Sequence, residues 1–143
     1  MRVQRKRRPT ERPSESKLSG KPRRLRTTVE NLAEGVVVSD LDGRLLDFNP
    51  AAVRMHGFTS PDEYLRLLPE FTDTFELSAP DGTIIPLDEW PLARVLRGEI
   101  LHDLEVNIRR KRNGWRRVFG YGGTIARDAN GQPLMAILSV RDL

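Results

Sequence analysis

The side chains able to do chemistry are few in this chain, and their spacing narrows what that chemistry is. Two histidines occur, His56 and His102, and they form no HExxH-type pair, so the spacing shows no metal site. There is no cysteine, which rules out disulfides, thiolate ligands and a cysteine nucleophile. Asp88, Glu89 and Glu105 show no nucleophile–base partnership, and Glu105 falls on the polar side of an alternating segment. The run Gly120-Tyr121-Gly122-Gly123 is glycine-dense but lacks the Lys-Ser/Thr that completes a phosphate loop. Glycines inside a strand instead let a ligand or a helix approach closely. Trp90 has the shape to stack on a ring, although a tryptophan before a helix more often packs into the core. These residue types describe a binding or structural module and argue against an enzyme.

The charge is unevenly placed. Residues 1–26 hold eleven of the 24 Lys/Arg and two of the 20 Asp/Glu, a net +9, which leaves −5 over residues 27–143. The first 26 residues are also nearly free of apolar side chains and contain Pro9, Pro13 and Pro22. Such a segment buries too little surface to offset its ordering entropy, so 1–26 is expected to be a disordered basic tail. Arg5 to Arg8 and Arg23 to Arg26 suit an anionic surface, but no aromatic interleaves them as a base-stacking platform, which argues against nucleic acid. No apolar run approaches the roughly 18–20 residues that span a bilayer, and the N-terminus lacks the apolar core of a secretory signal. A cytoplasmic location is expected.

Periodicity supplies the elements that would position a site. Leu25, Val29, Leu32 and Ala33 share one face of a short helix that ends at Gly35. Val36 to Ser39 and Leu45 to Phe48 read as strands joined at Asp42-Gly43. Asn49-Pro50 opens a helix with Ala51, Ala52 and Met55 inward and Gly57 as its stop. Ser60-Pro61-Asp62-Glu63 is expected to start another, with Tyr64, Leu65 and Leu68 inward. Pro69 to Pro86 reads as irregular. Pro91 opens a third helix, with Leu92, Val95 and Leu96 inward and Gly98 closing it. Leu104, Val106 and Ile108 alternate with polar residues. The turns Asn113-Gly114 and Asn130-Gly131 then separate two more strands, Trp115 to Ile125 and Leu134 to Val140. The last is apolar on both sides, so alternation does not say which side faces in. Two groups of antiparallel strands around short helices make an α+β fold, with a five-stranded antiparallel sheet, helices on one face and a pocket between them.

Over residues 27–143 the pattern resembles the PAS domain family, of the kind found in bacterial sensor kinases. EGVVVSDLDGRLLDFNPAAVRMHGFT looks like its opening, PDGTIIPLDEWPLARVLRGE like its later turn and helix, and LEVNIRRKRNGWRRVFGYGGTIARDANGQPLMAILSVRDL like its closing three strands. Two features depart from the family. Thr124 stands where many relatives have proline. The closing Asp-hydrophobic-Thr motif is represented by Asp142-Leu143, so the chain reads as a domain cut from a longer protein or a short stand-alone member.

The resemblance implies a signal-input module. It would bind a small ligand or sense a cellular condition and regulate an attached or partner effector such as a histidine kinase. The other reading is a dimerisation module with a filled core, and the short apolar face at Val29 and Leu32 suits a weak homodimer. The implied ligand pocket comprises Phe48, Met55, Trp90, Val95, Val106, Ile108, Val118, Gly120, Gly122 and Ile137, and Asp142 marks the signal exit. The identity of any cofactor is left open. Some relatives hold haem through a histidine, but neither histidine lies in the Pro91 to Arg97 stretch where the axial ligand would fall. The photoactive flavin subclass uses a cysteine that this chain lacks.

Overall fold

The computed structural model describes residues 34–143. The basic tail and the helix expected over Leu25 to Ala33 lie outside these residues.

Strands β1 (Gly35–Ser39) and β2 (Leu45–Phe48) form a hairpin. The Asp40 carboxylate accepts from the backbone N–H groups of Asp42 and Arg44, and Gly43 takes the left-handed φ of 89° that the turn needs. Helix α1 (Pro50–His56) follows directly. Asn49 caps it, its Oδ1 accepting from the N–H of Ala52 and also from that of Val36, both at 2.9 Å. One side chain therefore caps the helix and ties it to β1. The fit is close: a Cβ on Gly35 would lie 2.9 Å from Ala52 Cα.

The segment after α1 departs from the sequence expectation. Pro61–Glu63 forms a single 3₁₀ turn and not a helix, and Leu65 is exposed. The cause is tertiary. Arg66 O accepts from the Leu45 N–H, and Leu67 bridges Arg44, so this stretch runs extended beside β2. Pro69 to Pro86 is also more regular than expected. It holds a 3₁₀ segment (Leu68–Asp73) and strand β3 (Phe75–Ser78), in which Phe75 and Leu77 face the core.

After a 3₁₀ turn (Leu87–Glu89) and helix α2 (Pro91–Leu96) come three long strands, β4 (Leu101–Arg110), β5 (Arg116–Arg127) and β6 (Pro133–Asp142). The sheet is antiparallel with the order β2-β1-β6-β5-β4-β3, so it has six strands and not five, the sixth being β3 at the edge. Four residues between prolines gave too short a pattern to read as a strand.

The core lies between this sheet and the helices. Its inward residues on the central strands include Val106, Phe119, Tyr121, Ala136, Leu138 and Val140. Near the start of β4 a bulge leaves Asp103 at φ 56°. The Asp103 carboxylate accepts from Arg141 Nη2 at 2.5 and 2.6 Å, reaching from β4 to β6 across Gly120 of β5.

Candidate functional site

A cavity of about 70 Å³ lies between sheet and helices. Every strand contributes to its wall: Val37 from β1, Leu45 and Phe48 from β2, Phe75 and Leu77 from β3, Ile108 from β4, Tyr121 from β5 and Leu138 from β6. The helical side supplies His56 from α1, Pro91 and Leu92 from α2, and Phe58, Leu68, Phe71 and Trp90 from the connections. Trp90 is held in place because its indole N–H donates to Ile85 O at 3.0 Å.

The wall is apolar except at His56 and Tyr121. The His56 ring stacks near-parallel to Phe58 (11°) and meets Phe48, Phe75 and Phe119 edge-on, with centroids 5.2–5.9 Å away. Its Nδ1 sits 2.8 Å from Ala52 O, one turn back in α1. A carbonyl only accepts, so the proton is on Nδ1 and Nε2 is left as an acceptor. The Tyr121 hydroxyl donates to that Nε2 over 3.4 Å, longer than a well-formed bond. Burial, helped by the nearby Arg110 charge and opposed by the Ala52 contact, lowers the His56 pKa to about 4, so the ring is neutral at physiological pH. Burial likewise pushes the Tyr121 phenol above its usual value.

Arg110 fastens this end of the cavity. It is 7% exposed, and its Nη1 donates to His56 O and Gly57 O, both at 2.8 Å. These are C-terminal carbonyls of α1, which have no helical partner. The guanidinium also lies over the Phe58 and Phe75 rings, 5.8 and 5.7 Å from their centroids.

The residues expected at the pocket separate into three groups. Phe48, Trp90 and Ile108 line the cavity. Val95 and Val106 are fully buried in the surrounding packing, and Met55 is partly buried against it. Val118, Gly120, Gly122 and Ile137 stand on the opposite face of the sheet. The positions of the missing glycine side chains show why. A Cβ on Gly120 would meet the Asp103 carboxylate and one on Gly122 would meet Ser139 Oγ, whereas one on Gly123 would meet Val95 of α2. Residues 119, 121 and 123 are therefore the inward set. Asp142 is the exposed last residue of β6, opposite Phe119. His102 is exposed on β4, and among the described residues no three His, Cys, Asp or Glu side chains gather as a metal site. His56, Tyr121 and Arg110 were absent from the sequence expectation. Tyr121 was within reach, since a lone large side chain among three glycines signals the packed side of a strand.

A family model described as a PAS domain matches residues 23–89. No curated protein matches the chain. Among solved structures, the PAS domain of an HTR-like protein from Haloarcula marismortui has a TM-score of 0.58 at 17% identity, covering 91% of this chain and 98% of that one. A domain of a sensory box sensor histidine kinase/response regulator from Geobacter sulfurreducens has a TM-score of 0.54 at 24% identity, covering 94% and 100%. An RNA-binding Light-Oxygen-Voltage receptor has a TM-score of 0.55 at 18% identity, and there the match covers 82% of this chain but only 32% of the other. At these identities the likeness is one of fold.

Proposed function

The chain carries a PAS domain, and from that premise we propose that it is a signal-input module whose internal cavity senses a very small molecule. The observation that carries this reading is the cavity, walled by all six strands and both α-helices with two polar atoms in an otherwise apolar lining. An occupant that favours one of two arrangements of these walls shifts the population between them, while one that binds both equally shifts nothing. Leu138 lies in the wall and on β6, the strand that ends at Asp142, so the change leaves through β6 toward an attached or partner effector such as a histidine kinase. A cytoplasmic setting and a weak homodimer belong to the same proposal. Among the described residues no helix is long and apolar enough to cross a membrane.

Haem and flavin do not fit the residues present. The cavity of about 70 Å³ is well below the roughly 150 Å³ cavity that takes benzene. His56 Nε2 is enclosed by aromatic rings and Tyr121, with no room for a macrocycle beside it. The same small volume favours the second reading, a dimerisation module with a filled core.

Fusing a kinase reporter after Leu143 tests both readings. Output that follows cavity occupancy, and is lost in Asp142→Ala with folding intact, supports the input module. Output that is insensitive to occupancy and identical in the variant overturns it and favours the filled-core module.

A further inference from the structure

We infer that the cavity selects a small uncharged molecule bearing one hydroxyl or carbonyl, anchored between His56 Nε2 and the Tyr121 hydroxyl. The inference rests on the cavity being the sensing site and adds the chemical class of what it senses. Both anchoring atoms line the same cavity, and the 3.4 Å between them leaves each incompletely paired. Because Ala52 O fixes the His56 proton on Nδ1, Nε2 is an acceptor, while the Tyr121 hydroxyl both donates and accepts. A ligand hydroxyl completes the set by donating to Nε2 and accepting from Tyr121. A ligand carbonyl accepts from Tyr121 alone.

The rest of the wall sets charge and size. No Lys, Arg, Asp or Glu lines the cavity, and the nearby Arg110 is committed to His56 O and Gly57 O. An ionised ligand would lose its hydration without gaining a counter-charge, which excludes carboxylates and ammonium compounds. A volume of about 70 Å³, against a liquid share of roughly 30 Å³ per water, admits only a few heavy atoms. The remaining wall, with Phe58 and Leu138 near the anchors, suits a short alkyl stem.

The test titrates the protein with propan-1-ol, propionate and xenon. It follows the methyl resonances of Leu138 and Val37 and the ¹⁵N resonance of His56 Nε2. The expected result is saturable binding of propan-1-ol with a shift at Nε2, binding of xenon without that shift, and no binding of propionate. Tyr121→Phe should weaken propan-1-ol about tenfold, the worth of one neutral hydrogen bond, and leave xenon within twofold. Xenon binding to Tyr121→Phe also shows that the variant has kept its cavity. If xenon binds but propan-1-ol binds without the Nε2 shift, or with equal affinity in the variant, the polar anchor is overturned and the sensing cavity stands. Propionate binding as tightly as propan-1-ol overturns the charge selection. If neither xenon nor propan-1-ol binds, both the anchor and the sensing cavity fall.

Discussion

Replacing Arg110 by methionine keeps the length and apolar stem of the side chain but removes the guanidinium. In the structure that group satisfies His56 O and Gly57 O, each at 2.8 Å, from a position 7% exposed. Each is a hydrogen bond from a charged donor, worth about 1.5–3 kcal/mol, and each carbonyl left behind is buried or nearly so. The loss of contact with the Phe58 and Phe75 rings adds about 1 kcal/mol. Against this stands the cost of burying the charge, which methionine relieves by about 1–2 kcal/mol. The expected net loss is about 3–5 kcal/mol, a large part of the roughly 5–15 kcal/mol that holds a domain of this size together. Arg110→Lys should fall between, because one ammonium cannot reproduce the planar guanidinium's fit between two carbonyls and two rings. Urea unfolding monitored by Trp fluorescence measures all three proteins. A methionine variant within 1 kcal/mol of the parent would refute the reasoning, since it would mean that the desolvation cost cancels the two carbonyl bonds.

Asn49→Ala should cost about 1–2 kcal/mol, because one Oδ1 serves the N–H groups of both Ala52 and Val36; a midpoint equal to the parent's would show that water replaces it. Gly123→Ala places a Cβ 2.7 Å from Val95 Cγ2 and 3.0 Å from Ile137 O, and should destabilise by about 1–3 kcal/mol. Gly122→Ala meets only the rotatable Ser139 Oγ and should cost less; the reverse order in thermal melts would count against the assigned sheet faces. His56, held at about 4 instead of 6.5, refuses a proton that the unfolded chain accepts. Its contribution is therefore complete above pH 6.5 and falls by about 3 kcal/mol as pH drops to 4. Denaturant midpoints at pH 7 and 4.5 should differ more in the parent than in His56→Phe, and equal differences would remove His56 from the acid response.

What was legible in the sequence was the local chemistry. Asp42-Gly43, Asn113-Gly114 and Asn130-Gly131 mark turns because Gly43, Gly114 and Gly131 take positive φ, and Asn49-Pro50 marks a helix start because both residues act within one turn. The long strands followed from those limits, and the PAS-like α+β layout from their order. What was hidden depends on distant partners. The stretch after Pro61 is drawn out of helix by its pairing with Arg44 and Leu45, which the local pattern cannot show. The inward side of β5 was obscured because glycine carries no side chain to mark it, and that of β6 because both its sides are apolar. His56 gave no signal, since its burial depends on Phe58, Phe75 and Phe119 converging from three separate stretches.

The bulge at Asp103 acts as a parity counter for the sheet. Between Leu101 and Leu104, β4 advances three residues while β5 advances two, from Gly123 to Tyr121. That single surplus residue lets Leu101, 6% exposed, share the inner side with Val106 and Ile108, although its number is odd and theirs are even. Deleting Asp103 would put the count back in step, turning Leu101 toward solvent and His102 toward Val95 while leaving everything beyond Leu104 in place. The chain between α2 and the bulge can therefore gain or lose residues without disturbing the face that lines the cavity, provided Asp103 remains. An ion pair to Arg141 and a glycine beneath it keep that residue where the count is made.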